Sequence, residues 1–265
     1  MSDASPPATV AAAGPSAASA PQADVAPPGP AAAPASVPFE LDGQPAEALP
    51  GETILQAAER HGARIPHLCY TEGMRPDGNC RACVCEIEGE RVLAPSCWRK
   101  PAPGMKVRTA SERARAAQRM VLELLLADAP ENGADAYRPD SELALWAAEL
   151  GVTGARFPRR AQPAADLSHP AIAVHLDACI QCTRCVRACR EVQVNDVIGY
   201  ADRGHHARIV FDLEDPMGAS TCVACGECVQ ACPTGALLPR GVWEAGATAA
   251  VRFVPAWDPS FRENA

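Results

Sequence analysis

Hydrophobic and polar positions change period several times along the chain, and each change marks an element. Val37-Pro38-Phe39-Glu40-Leu41 alternates with period two, as a half-buried strand does, and Asp42-Gly43 supplies a turn behind it. Gly51-Glu52-Thr53 opens an amphipathic helix that runs to His61, closed by Gly62 with Pro66 beyond. Residues 84–87 and 91–94 read as a hairpin about Glu88-Gly89-Glu90, and residues 105–108 as another short strand. Strands wrapped around one helix predict a β-grasp layout for residues 37–110. Ser111 caps a helix over residues 112–128, with Met120, Val121, Leu124 and Leu125 expected on one apolar face, and Ala129-Pro130 stops it. Ser141 starts another helix carrying Leu143, Leu145, Trp146 and Leu150, ended by Gly151. Both helices are expected to pack between the modules on either side, in a linker over residues 111–168 whose later part is polar. A cysteine-dense α+β module then occupies residues 169–238.

The two ends differ from this. Residues 1–36 are an Ala/Pro-rich leader in which Pro27-Pro28-Gly29-Pro30 disfavours helix and sheet alike, so an extended or disordered tether is expected. Residues 239–265, with Trp243 and Trp257, read as an irregular docking arm. The leader lacks Lys and Arg and so does not look like an export signal, which points to the cytoplasm. No apolar run reaches the length of a membrane span. A net charge of −8 argues against nucleic acid as a partner. Aromatic residues make up only 5% of the chain, so small modules need more than burial to hold them.

Thirteen cysteines supply the candidate constraint. Their crowding at gaps of two and three residues favours metal ligation over disulfides, which remain the alternative. The first group is Cys69, Cys80, Cys83 and Cys97. A close pair can grip one iron of a [2Fe–2S] cluster from a single turn while the distant two approach from flanking loops, and Gly73 and Gly78 loosen the backbone there. Structural zinc is the competing reading, but zinc ribbons usually show two short pairs, and here there is one. The second group is a duplicated run, Cys179-x2-Cys182-x2-Cys185-x3-Cys189 and Cys222-x2-Cys225-x2-Cys228-x3-Cys232-Pro233. In two-cluster ferredoxins of this spacing the fourth Cys of each run serves the other cluster. That assigns Cys179, Cys182, Cys185 and Cys232 to one [4Fe–4S] cubane, and Cys189, Cys222, Cys225 and Cys228 to another. Cys85 is left over, on an expected strand, as a small buried hydrophobe. Arg81, Arg184, Arg187 and Arg190 flank ligands, where they would raise cluster potentials, dock an acidic partner or form a solvated face. His169 and His175 read as ordinary connector or strand residues.

Ile65-Pro66-His67-Leu68-Cys69-Tyr70, Gly78-Asn79-Cys80-Arg81-Ala82-Cys83 and Cys97 resemble the N-terminal ferredoxin domain of the large complex I iron–sulfur subunit. The same domain opens NAD-linked formate dehydrogenases and iron-only hydrogenases. The double run, ending Cys232-Pro233-Thr234-Gly235-Ala236-Leu237, is most similar to the formate dehydrogenase version. That family usually places a His-x3-Cys-x2-Cys-x5-Cys motif after the helix that ends here at Asp128, but this chain has Ala129 at the His and Gly133 at the first Cys, so that cluster is expected to be absent. The pterin domain that follows the last cluster in formate dehydrogenases has no room here, so the catalyst is expected in another subunit. No dinucleotide or phosphate-binding loop is present. The resemblance therefore implies an electron-transfer subunit with no catalytic centre of its own, between a pterin–metal subunit and a flavin/NAD-binding one. The small diaphorase subunit of an NAD-linked hydrogenase, and a non-conducting scaffold or redox sensor, are the alternatives.

Overall fold

A computed structural model describes residues 36–128, 141–161 and 164–245. The expected leader (save Ser36), the Ala129 and Gly133 positions of the missing motif, and the arm beyond residue 245 lie outside the described residues.

Strand β1 (Val37–Leu41) turns through Asp42 and Gly43, both at positive φ, into antiparallel β2 (Gln44–Ala48). Two such residues match the right-handed twist of the flanking strands. Helix α1 (Ile54–Arg60) starts at Thr53, whose hydroxyl accepts the Gln56 N–H at 3.3 Å while the Gln56 carboxamide accepts the Thr53 N–H at 3.0 Å. This reciprocal cap satisfies two otherwise orphaned donors. Strands β3 (Val84–Ile87), β4 (Ala94–Pro95) and β5 (Lys106–Arg108) complete a five-stranded sheet of order β2-β1-β5-β3-β4, in which β1 and β5 are parallel. Ile54, Leu55, Ala57 and Ala58 of α1 pack into a core with Phe39, Leu41, Ile87 and Val107. One helix gripped by a mixed sheet is the layout expected from the sequence.

Two details differ. Strand β2 was not expected: Gln44-Pro45-Ala46-Glu47-Ala48 has no β-branched or aromatic residue, and it lies at a sheet edge, where a proline is tolerated. The expected strand over residues 91–94 forms only from Ala94, because Val92 is exposed in the preceding loop.

Helix α2 (Glu112–Leu126) is capped by Ser111, whose hydroxyl accepts the Ala114 N–H at 3.2 Å. Its buried stripe is Ala114, Gln118 and Leu122. Val121 and Leu125 are partly buried as expected, but Met120 and Leu124 are exposed. The stripe is rotated because Gln118 faces inward, donating to the Val84 carbonyl at 2.9 Å and the Thr109 carbonyl at 3.1 Å. Helix α3 (Glu142–Glu149) begins at its Ser141 cap and buries Leu143, Trp146 and Ala147. Leu122, Leu143, Trp146 and Leu150 form one apolar cluster with Leu68, Cys69, Ala82, Ile180 and Cys182, so the helices pack between the cysteine modules.

The second module opens with β6 (Ile172–Val174), and helix α4 (Arg184–Arg187) runs into a π-helical turn at Ala188–Val192. Strands β7 (Ile198–Ala201) and β8 (Arg208–Phe211) form one antiparallel ribbon. Helix α5 (Glu227–Ala231) leads to β9 (Leu237–Pro239), which pairs antiparallel with β6, and helix α6 (Arg240–Glu244) follows. The start of the expected irregular arm is thus ordered: Pro239 ends a strand, and the Arg240 N–H donates to the Ala171 carbonyl at 2.9 Å. Among the described residues no helix is long and apolar enough to cross a membrane.

Candidate iron–sulfur centres

The first four cysteines come from three different loops. Cys69 follows the Ile65–Leu68 segment beyond α1, Cys80 and Cys83 enter β3, and Cys97 follows β4. All are buried except Cys80, which is partly so. The Cys69 sulfur accepts from the thiols of Cys80 and Cys97 and from the N–H groups of Cys80 and Asn79, which holds it well below the usual thiol range. The thiol partners are pushed up in return: Cys80 by Cys69 and by burial, Cys97 by Cys69 and Cys83. Cys83, held by the Cys97 thiol and the Cys97 N–H, is lowered. The four sulfurs therefore sit together, with backbone donors aimed at them. A thiolate site needs such donors, because they offset negative charge out of reach of water.

The double run repeats a backbone conformation. Gln181 and Thr183 bracket Cys182 at φ 57° and 60°, and Ala224 and Gly226 bracket Cys225 at φ 58° and 84°. Arg81, between Cys80 and Cys83, takes φ 61° in the same way. Left-handed non-glycine residues cost on the order of 1–3 kcal/mol each, and they persist where a site requires them. Here they turn successive N–H groups toward sulfur, forming an anion-binding nest. Gln181 N–H donates to Cys179 and Arg184 N–H to Cys182, and the Ala224 N–H lies 3.4 Å from the Cys222 sulfur. The π-helical turn carries Cys189 sideways out of the α4 register, where its sulfur accepts the Val197 N–H at 3.3 Å.

Electrostatics reports which thiols are neighbours. Burial pushes Cys179 up to about 11, and Cys232 adds to the rise. Burial also raises Cys182 and Cys185, reinforced by Cys179 and Cys232 in both cases. Cys228 is pushed up to about 12 by burial and then by Cys222, Cys225, Cys189 and Cys232. Cys232 thus acts on all three thiols of the first run as well as on Cys228, and Cys189 acts on Cys228, so the two runs face one another. Cys225 is the exposed member and Cys222 is partly buried. Among the described residues no three His, Cys, Asp or Glu side chains have the geometry to hold a single metal ion. The donor set, soft thiols of which most are buried and met by backbone N–H groups, fits iron–sulfur clusters.

The leftover Cys85 is buried on β3, its thiol 3.5 Å from the Ala94 carbonyl and pushed up to about 12 by burial and the nearby Cys83. It has the setting of an inert core residue. The flanking arginines divide. Arg81 is exposed, and Arg190 is paired with Asp196 at 2.6 Å in solvent. Arg184 and Arg187 are 3% exposed, so neither forms a solvated face or a partner dock. Arg184 pairs with buried Glu142 at 2.7 Å and reaches the Leu68 carbonyl at 3.3 Å. Arg187 donates to the carbonyls of Cys69 and Arg75. His169 accepts the Ala171 and Ile172 N–H groups at the start of β6, and His175 lies over Trp243, so both act structurally. Asp77, Asn79 and Glu142 were not singled out from the sequence, because their partners lie on distant segments.

Comparison with known proteins places these features. Residues 34–112 match the model of a 2Fe-2S iron-sulfur cluster binding domain, and residues 169–238 that of the ferredoxin-like domain of NADH-quinone oxidoreductase subunit 3. An NADH-quinone oxidoreductase subunit of Rhizobium meliloti (strain 1021) is 35% identical over 205 residues, covering 75% of this chain and 23% of that protein. The HndD subunit of the NADP-reducing hydrogenase of Solidesulfovibrio fructosivorans is 36% identical over 218 residues, 77% of this chain and 36% of that one. The chain therefore spans well under half the length of these curated relatives. A chain in the crystal structure of an NAD+-reducing [NiFe]-hydrogenase in the H2-reduced state superposes with a TM-score of 0.72 at 30% identity, over 83% of this chain and 91% of that one. The chain belongs to the family of iron–sulfur electron-transfer subunits found in NADH-quinone oxidoreductases and NAD(P)-reducing hydrogenases.

Proposed function

We propose that the chain carries one [2Fe–2S] cluster on Cys69, Cys80, Cys83 and Cys97, and two [4Fe–4S] clusters on Cys179, Cys182, Cys185, Cys232 and on Cys189, Cys222, Cys225, Cys228. The observation that carries this reading is the repeated left-handed bracket around Cys182 and Cys225, with Cys232 acting on all three of Cys179, Cys182 and Cys185. Clusters of these types accept and release one electron at a time. The protein buries the thiols, aims N–H groups at them and fixes the modules against each other. The [2Fe–2S] site adjoins the cubane site of Cys182, since Cys69 and Cys182 share one apolar cluster. Exposed Cys225 puts the other cubane site at the surface, where a partner can approach.

In this reading the chain relays single electrons between a flavin/NAD-binding subunit and a substrate-oxidising subunit, in the cytoplasm. A pterin–metal subunit of the formate dehydrogenase type is the substrate-side partner inferred from the double run. A hydrogenase subunit is the second reading, favoured by the match along 91% of a chain from an NAD+-reducing hydrogenase. Anaerobic metal analysis tests the cluster assignment: about ten irons per chain are expected from one two-iron and two four-iron centres. Stoichiometric zinc with little iron would overturn it. Cys80→Ser should abolish the [2Fe–2S] paramagnetic signal and leave those of the cubanes. The proteins that co-purify decide between the two partner readings.

A further inference from the structure

Several of the polar contacts between the two cysteine modules meet on one buried side chain. Arg187 stands on α4, two residues beyond Cys185, and is 3% exposed. Its Nη2 donates to the carbonyl of Cys69 and lies 3.4 Å from the carbonyl oxygen of Cys182. Its Nη1 donates to the Arg75 carbonyl at 2.6 Å, and its Nε is 3.7 Å from the Asp77 carboxylate. One nitrogen therefore touches the backbone of a cysteine in each module. Asn79 adds a weaker strut beside it, its Nδ2 3.4 Å from the same Cys182 carbonyl and 3.1 Å from Thr183 Oγ1. The Thr183 hydroxyl lies 2.8 Å from Asp77, which closes the seam.

Burying a guanidinium is costly, and the apolar cluster of Leu68, Leu122, Trp146 and Ile180 already docks the modules. What the cation adds is direction. Its planar fork offers several donors at fixed angles, so it can hold three carbonyls at once, and a lysine ammonium has no equivalent fork. Two of the three carbonyls belong to residues whose sulfurs are ligands in the reading above.

We propose that Arg187 is a positioning residue that locks the backbone of the [2Fe–2S] site to that of the neighbouring cubane site, and so fixes the gap that electrons cross between them. The proposal rests on the cluster assignment, and its test separates the two. The full chain and its Arg187→Lys and Arg187→Gln variants are prepared anaerobically, assayed for iron, and examined by electron paramagnetic resonance at graded reduction. In the wild type, reducing the neighbouring cubane should broaden the [2Fe–2S] signal and speed its relaxation. Arg187→Lys should keep the full iron content and the g-values of each cluster but lose most of that magnetic interaction. Arg190→Gln, which removes a nearby exposed cation, should leave it intact. Should both Arg187 variants fail to assemble, Asn79→Ala, which removes only the weaker strut, must reduce the interaction at full iron content. An undiminished interaction in an iron-replete Arg187→Lys protein, or in Asn79→Ala in that case, overturns the proposal. A wild type holding zinc instead of iron would overturn the cluster assignment itself.

Discussion

The buried pair of Arg184 and Glu142 gives the sharpest test of how the modules are held. The two side chains are 3% and 6% exposed, and Nη1 lies 2.7 Å from Oε2. Burial alone would pull Arg184 down, but the Glu142 carboxylate outweighs it and holds the guanidinium charged. At that separation and an effective dielectric of about 20, the attraction is roughly 6 kcal/mol, much of it offset by the cost of removing both ions from water. Glu142→Gln removes the ionic attraction and leaves the cost of the buried cation, whose acceptors are then a neutral carboxamide oxygen and the Leu68 carbonyl at 3.3 Å. The expected loss is about 3–5 kcal/mol. For a folded unit of this size that lowers Tm by about 6–20 °C. The double variant Glu142→Leu/Arg184→Met removes both ions and should recover most of the loss, falling short by about 1 kcal/mol for the missing Leu68 contact. Anaerobic thermal melts of iron-replete protein, followed by visible circular dichroism, report both. A Glu142→Gln protein that melts with the wild type, or a double variant less stable than the single, would refute the reasoning.

Gln118→Met should cost about 1–3 kcal/mol, because it takes a donor from the buried Val84 and Thr109 carbonyls; a melt within error of wild type would show those bonds are dispensable. Cys85→Ala should leave the iron content and all cluster signals unchanged, since that thiol is buried and held protonated well above neutral pH. A lost [2Fe–2S] signal would instead make Cys85 part of the site. His175 is kept below its ordinary value by burial, with Asp177 partly opposing, so the folded state favours the neutral ring. The stability this gives is present above about pH 6.5 and is lost as pH falls through the lowered folded value, so His175→Phe should flatten that part of an acid titration of stability. An unchanged acid slope would remove His175 from the account.

What the sequence reveals here is what is local. The helix start at Thr53 and the β1 alternation are short-range patterns, and each stands where its period puts it. Strand β2 has no such pattern: Pro45 and two alanines form an edge strand because β1 and the Asp42-Gly43 turn carry the chain back, not through their own propensity. On α2, counting large apolar residues selects Met120 and Leu124, whereas burial selects Ala114, Gln118 and Leu122. A glutamine can define a buried face only where carbonyls wait for it, and those belong to Val84 and Thr109 on other segments. Arg184 and Arg187 carry the same lesson: beside cysteines they read as surface charge, and only the acceptors at Leu68, Cys69, Arg75 and Glu142 explain their burial. Single-residue φ values around Cys182 and Cys225 were likewise illegible, since Gln, Thr and Ala do not announce a left-handed backbone.

The two modules should also differ in how far they depend on their iron. The first has a core of Phe39, Leu41, Ile54, Leu55, Ile87 and Val107 between a five-stranded sheet and α1, and most of that apolar contact involves no thiol. The second has only two-stranded ribbons, β6–β9 and β7–β8, and its core includes Cys179, Cys185, Cys189, Cys228 and Cys232 themselves. Isolated two-stranded ribbons are marginal in water, so where ligand binding is coupled to folding the second module has more to lose. Burial already opposes ionisation of Cys179 and Cys228, so without iron they stay neutral and give the module no ionic links. Stripping iron anaerobically with a chelator should therefore raise hydrogen exchange first in β7 and β8, while amides of β1, β3 and β5 stay protected until stronger denaturing conditions. Exchange that rises first in the five-stranded sheet, or equally in both modules, would show that the apolar cores rather than the thiolate centres set the order of unfolding.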